Sequence, residues 1–426
     1  MRTEACVILW LGAIGGSLLS APPGPDTAWP QWGGPRRDFT VNVTGLARGW
    51  PAAGPGRLWS RSLGEGHSAI VAEGGVLYTA YRPIGSSSAS RASSQEAVIA
   101  LDAATGRTLW EHRYEAPTEG FNLEYGAGPH ATPIVAGRLL IAAGSSQQIM
   151  ALDRRSGQIV WSHDLPKEFG SKPPDRGYAS SPLLYRDTVI VQAGGAGQAL
   201  IAFRVADGRV AWKNQSFDTS PSSPLVINLD GQDQLVVFAA DAVVGLDPAN
   251  GQLFWRHAHR TEWGLNISTP VFGPDNQLFI SSAYNSGSRL LQLKRAGDKT
   301  QVQELWYTNR MRVHFGTVVR VGDRIYGSSG DFGPAFLTAL NVSDGRVAWQ
   351  SRGFARASLL WADGMFVILD EDGALGLATP APGGLEVLGR AEILSSRAWT
   401  VPTLVGTVLY ARDRKNIVAL ELGAQQ

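Results

Sequence analysis

An eight-bladed β-propeller built from four-stranded antiparallel blades is the fold this 426-residue sequence predicts. Three observations predict it: one phrase recurs along the chain, short β-branched runs precede each copy, and the two ends carry complementary halves of one blade. The phrase reads ALDAATGRTLW at 100–110, ALDRRSGQIVW at 151–161, AFRVADGRVAW at 202–212, GLDPANGQLFW at 245–255 and ALNVSDGRVAW at 339–349. Gly106, Gly157, Gly208, Gly251 and Gly345 each stand four residues before Trp110, Trp161, Trp212, Trp255 and Trp349. Successive tryptophans lie 51, 51, 43 and 94 residues apart, and a degenerate copy ending QELW at Trp306 divides the last interval into 51 and 43. A period of this length is the mark of a repeat architecture.

Each copy carries the logic of a blade. Two short runs such as TPIVAG and RLLIAAG supply the first strands, and the phrase supplies a third strand, a tight turn and a fourth strand with the tryptophan. Asp or Asn can bond its own following backbone, Gly provides the positive φ that closes the turn, and tryptophan fills space between blades. Strand openings recur eight times, from HSAIVAEGGVLYT to TVPTLVGTVLYARD. The last copy stops at NIVALELGAQQ without its tryptophan strand, while GRLWSRSL at 56–63 is a tryptophan strand, with Trp59, that has no blade before it. Trp59's strand is therefore expected to complete the blade built by 398–422, leaving no open sheet edge between the termini. The domain reading is a signal peptide at 1–21, an N-terminal segment at 22–55 and the propeller at 56–422.

Composition narrows the function. With 38 basic and 37 acidic residues and a net charge of +1, nothing draws the chain electrostatically to nucleic acid or an anionic membrane. The only cysteine, Cys6, lies in the N-terminal apolar run, so the folded body has no disulfide, thiolate metal site or cysteine nucleophile. That run, behind Arg2 and ending in small residues, reads as a secretory signal shorter than a membrane span. The expected localisation is periplasmic or extracellular, with no membrane span in the mature chain. No Gly-x-Ser-x-Gly elbow, phosphate loop or paired catalytic carboxylate stands out.

The repeated ALDxxTGxxxW phrase, the eight-fold count and WPQWGGPRRDF at 29–39 resemble the PQQ-like (pyrroloquinoline-quinone-like) β-propeller repeat proteins. That family includes quinoprotein alcohol dehydrogenases and the propeller lipoprotein of the outer-membrane β-barrel assembly machine. The resemblance spans 29–422. N-terminal segments of this kind more often read WRGPNRDG; here Gly33 replaces the arginine, Arg36 the asparagine and Phe39 the last glycine. For the dehydrogenases the resemblance implies an adjacent cysteine pair, calcium held by Glu, Asn and Asp, and an aspartate base. The pair is absent and no run matches the calcium ligands; the acidic stretch Asp370, Glu371 and Asp372 reads as a solvated hairpin turn. The residues thus weigh against an enzyme and against any cofactor. An exported, non-enzymatic platform for a protein partner or ligand is preferred, and a PQQ- and calcium-dependent dehydrogenase of alcohols or sugars is the alternative.

The inter-blade crossings should rim a central funnel on the face opposite the ALDxxTG turns, the usual place for a ligand in this architecture. The residues expected there are His67, Tyr125, His130, Arg176, Tyr178, Trp263, Asn266, Arg312, His314, Arg356, Arg397 and Trp399. They suggest a cationic, aromatic mouth for a small anionic ligand, arginine pairing carboxylates and the rings stacking. The competing reading is a solvated rim, its arginines countered by Asp175, Glu262 and Asp331. Three histidines without a fixed local spacing make no metal motif. A protein partner, exported like the chain itself, and a monomeric state complete the expectation.

Overall fold

The computed structural model describes residues 24–51, 53–84, 93–331 and 333–424. The expected signal peptide at 1–21 and the Ser-rich stretch at 85–92 lie outside these residues. Eight sheets are arranged as blades: blade 1 at 71–115, blade 2 at 134–164, blade 3 at 183–214, blade 4 at 225–258, blade 5 at 271–308, blade 6 at 313–351, blade 7 at 357–392 and blade 8 at 403–421. Within every blade, successive strands pair antiparallel. The Gly56–Ser62 strand is the fourth member of blade 8, pairing antiparallel with Asn416–Glu421 so that Trp59 faces Ala419.

The recurring phrase folds as its residues dictate. In blade 1, Asp102 Oδ1 accepts from Thr105 N at 2.9 Å and from its hydroxyl at 2.7 Å, and Gly106 closes the turn at φ +70° with its N–H on Asp102 O. Asp153 and Gly157 repeat this in blade 2. A second demand on the glycine is steric. A Cβ on Gly157 would stand 2.5 Å from the Trp110 ring, one on Gly208 2.8 Å from Trp161, one on Gly251 2.7 Å from Trp212, one on Gly345 2.5 Å from Trp306 and one on Gly106 2.6 Å from Trp59.

Trp59, Trp110, Trp161, Trp212 and Trp306 therefore each lie on the turn glycine of the next blade. The indole N–H completes the contact by donating to a turn carbonyl: Trp110 to Arg154 O, Trp161 to Val205 O, Trp306 to Val342 O and Trp59 to Ala103 O, at 2.7–2.9 Å. Blade 5 breaks the pattern because its outer strands, Gly287–Ala296 and Lys299–Thr308, meet in a short hairpin that lacks the phrase. Trp255 of blade 4 turns instead onto its own blade, against Gly245, and donates to Gln234 Oε1 at 2.7 Å.

Two further sets of bonds hold the ring. Small hydroxyl residues at the innermost strands bridge blades: Ala69 N donates to Thr132 Oγ1, Thr132 N to Ser181 Oγ, and Ser181 N to Ser223 Oγ, each at 3.0 Å. Crowding at the axis, the simple reason for small residues there, is thus joined by the need to satisfy buried backbone N–H groups. Between blades 8 and 1, the fully buried Arg412 donates to the carbonyls of Gly64, Ser68 and Ala80.

The segment around 29–41 crosses the channel. Trp29 forms a two-way bridge with Ala72 of blade 1, Pro30 O accepts from Val135 of blade 2, Arg37 donates to Pro182 O beside blade 3, Trp32 Nε1 donates to Thr269 Oγ1 beside blade 5, and Thr40–Val41 runs parallel to Trp361 and Ala362 of blade 7. Its bends need unusual backbone: Gly33 and Gly34 sit at φ +75° and +81°, and Phe39, where the family pattern has glycine, holds φ +59°. This segment is a plug that seals one end of the channel.

The two demands on the turn glycine can be separated. Gly137 has φ +61° with open space around it, whereas Gly157 has φ +73° and an indole above it. Gly137→Ala is expected to cost about 1 kcal/mol through backbone strain alone, and Gly157→Ala about 3 kcal/mol once overpacking is added. Urea denaturation of the two variants checks this; equal losses contradict it.

Candidate functional site

The inter-blade crossings converge on a cavity of about 160 Å³ at the mouth of the channel. Its lining includes His67, Tyr125, His130, Arg176, His314 and Trp399 from the expected set, and adds Trp32, Tyr284, Phe315, Leu265 and Ile267. Trp32 enters from the plug and closes the inner end. Signals for Tyr284 and Phe315 exist in sequence, since Phe315 follows His314 and Tyr284 comes just after the second strand of blade 5, Gln277–Ser282. Nothing in the repeat pattern points to Trp32, because the plug lies outside the repeats.

The rings form a continuous wall. Phe315 and Trp399 stack with centroids 4.6 Å apart, Tyr125 lies 5.5 Å from Trp399, and His67 stacks on His130 at 5.5 Å with an interplanar angle of 11°. Tyr284 Oη and His314 Nε2 share a hydrogen bond of 2.7 Å. His67 Nε2 meets Tyr125 O at 3.0 Å and His130 Nε2 meets Arg176 O at 3.1 Å. A carbonyl can only accept, so both neutral imidazoles carry their proton on Nε2 and a lone pair on Nδ1. Burial pushes His67 well below the usual histidine range, and His130 and His314 down to about 4. The three rings are therefore uncharged at neutral pH.

Three of the four rim arginines stand against an acid. Arg176 reaches Asp175 at 3.3 Å and lies over the Tyr125 ring. Arg312 is held by Asn285 at 2.8 Å and Asp331 at 3.6 Å, off the cavity wall. Arg356 pairs with Glu371 at 2.9 Å and bonds Asp331 O. Arg397 is exposed and lies over Trp399, 4.9 Å from its ring centre, and is not among the lining residues. Acids close at hand thus pair with Arg176, Arg312 and Arg356; Asp175 and Asp331 do so as the solvated reading expected, with Glu371 in place of Glu262.

Three other expected residues sit elsewhere. Tyr178 is buried at 2% exposure, and Asn266 is wholly buried, donating to Ala239 O and accepting from Ser282 Oγ. Trp263 is 51% exposed and belongs to an adjoining groove with Lys172 and Asp218, edge-on to Tyr284. The acidic stretch is likewise not a solvated turn: Asp370 is buried and accepts from the N–H groups of Ala355, Asp372 and Ala374, while Glu371 accepts from Trp399 Nε1 at 2.8 Å.

This geometry meets a matching family. The profile of the family described as outer membrane protein assembly factor BamB matches residues 94–351. The chain belongs to this family of PQQ-like propellers. It is 21% identical over 322 residues to outer membrane protein assembly factor BamB of Yersinia pestis, covering 70% of this chain and 76% of that protein. It is 23% identical over 269 residues to quinoprotein alcohol dehydrogenase PedH of Pseudomonas putida, covering 54% of this chain but only 40% of the enzyme. The crystal structure of BamB from Moraxella catarrhalis superposes with a TM-score of 0.60 at 17% identity, over 87% of this chain and 98% of that one; at that identity the likeness shows the fold.

For a quinone and calcium centre of the dehydrogenase kind, the donor set does not fit. The carboxylates nearest the funnel are engaged with Arg176, Arg312 and Arg356, no cysteine is present outside residue 6, and no cluster of three His, Cys, Asp or Glu able to share a metal occurs among the described residues.

The histidines set a pH dependence. Their folded pKa lies below the unfolded value near 6.5, so the unfolded chain takes up protons first, and stability present above pH 6.5 is lost as the pH falls through about 4. Urea titrations between pH 7 and 4 are expected to show a falling stability whose slope is shallower in His130→Phe, by on the order of 1–3 kcal/mol across the window. Identical slopes contradict a neutral His130.

Proposed function

We propose that this chain is a non-enzymatic binding propeller of the cell envelope, acting as a monomer in outer membrane protein assembly as its BamB relatives are named for doing. The observation that carries this is the state of the rim: Arg176, Arg312 and Arg356 are matched by acids, His130 and His314 are neutral, and among the described residues no cluster of His, Cys, Asp or Glu is set to hold a metal. What remains is a recognition surface, a ring of crossings around an aromatic funnel on a plugged disc. The apolar run behind Arg2 supports export. Among the described residues no helix is long and apolar enough to cross a membrane. The balanced charge supports a protein partner over nucleic acid.

Two measurements test this reading. Incubation with PQQ and Ca²⁺ is expected to leave no stoichiometric quinone chromophore and no dye reduction with alcohols or sugars; a chromophore with turnover establishes the dehydrogenase alternative instead. Affinity purification from detergent-solubilised envelopes is expected to co-isolate an outer membrane assembly protein, and recovery of the chain alone contradicts the partner.

A further inference from the structure

We propose that the funnel binds one uncharged aromatic ring bearing a hydroxyl group, a phenol, whose O–H is accepted by His130 Nδ1. This deepens the binding reading above by naming a ligand class, and it replaces the anionic ligand that the arginine count suggests.

Size and wall chemistry select the ring. A cavity near 150 Å³ lined by apolar side chains accommodates benzene, and this one encloses about 160 Å³. Trp32, Leu265, Ile267, Phe315 and Trp399 give it flat and aliphatic walls, and offset or edge contacts between rings add to burial. A sugar ring would leave most of its hydroxyls without partners against such walls.

Charge balance selects neutrality. An anion would need a cation at the wall, yet Arg176, Arg312 and Arg356 each stand against a carboxylate, and Arg397 lies over the Trp399 ring and is not among the lining residues. A cationic ligand would have to displace one of those arginines from its acid. An uncharged ligand demands neither change.

The tautomers select a donor. His130 spends its one N–H on Arg176 O; its Nδ1 makes no hydrogen bond, and it is absent from the atoms that protein covers completely. This lone pair is the acceptor left to His130, which lines the funnel. The His67 ring, stacked beneath it, has its N–H on Tyr125 O and its Nδ1 wholly covered by protein, so it holds the His130 plane without competing for a donor. An aromatic hydroxyl satisfies the lone pair, whereas a hydrocarbon leaves it dry and a carboxylate meets it with like polarity.

Calorimetric titration of the full chain with p-cresol, toluene and 4-methylbenzoate tests this. p-Cresol is expected to bind at least tenfold more tightly than either of the others. His130→Phe, which keeps a stacking ring on His67, is expected to weaken p-cresol about tenfold and leave toluene unchanged. In the unaltered protein, p-cresol is expected to shift the ¹⁵N resonance of His130 Nδ1, so the proposal is testable even if the variant does not fold. N-acetyltyrosinamide distinguishes two sources of the same chemistry: binding as tight as p-cresol identifies a partner's tyrosine side chain, and p-cresol binding alone identifies a free phenol. The proposal is overturned by toluene or 4-methylbenzoate binding as tightly as p-cresol, by an unmoved His130 resonance, or by no p-cresol binding at millimolar concentration. Any of these leaves the co-purification and quinone results standing, so the two readings fail separately.

Discussion

The indole lying on the next blade's turn glycine is the constraint from which the rest of this molecule follows. A propeller blade twists and cannot bury its outer strand alone, so neighbouring blades must be keyed together at the rim as well as at the axis. Here the key is one large ring seated where a Cβ is forbidden, with its N–H donated, in four of the five cases, to a carbonyl of the same turn. Because the glycine also closes the turn at positive φ, one residue serves local backbone and long-range packing together. That double demand explains why the phrase recurs so closely in five of the eight blades while the crossings on the opposite face vary freely.

Rigid keying at the rim leaves the axis to be closed by other means. Small hydroxyl residues carry blade-to-blade bonds at the innermost strands, Arg412 staples the last blade to the first through backbone carbonyls, and the plug from 29–41 seals one end. The funnel that results is closed below by Trp32 and walled by crossings that do not repeat. Its polar atoms are largely committed to one another, which gives it a neutral interior despite the arginines around it. Recognition by shape, stacking and a few oriented hydrogen bonds is what such a site can do.

Much of the architecture was legible in the sequence because it depends on local periodicity. The glycine and tryptophan four apart, the β-branched runs and the complementary halves at the two ends report strand, turn and order without any tertiary knowledge. The steric half of the glycine's role was not legible, since the ring it supports lies about fifty residues earlier. At the funnel, topology alone brought His67, Tyr125, His130, Arg176, His314 and Trp399 to one cavity. It could not say that Glu371 would reach both Arg356 and Trp399, because pairing between adjacent crossings depends on side-chain reach. Nor could it find Trp32, which arrives from a segment with no repeat to index it. Blade 5 shows the converse: its missing phrase left only QELW to mark it, and Trp255 answers the missing turn by seating on its own blade.

The seam between the chain's two ends is where keying by tryptophan is most exposed to test, because Trp59 must both complete blade 8 and seat on Gly106 of blade 1. The decisive measurement is the thermal midpoint of a chain lacking residues 56–63 against that of the intact chain. Loss of one strand and one rim key is expected to lower it on the order of 10 °C. An unchanged midpoint would contradict the account that this ring is held by its blade-to-blade keys.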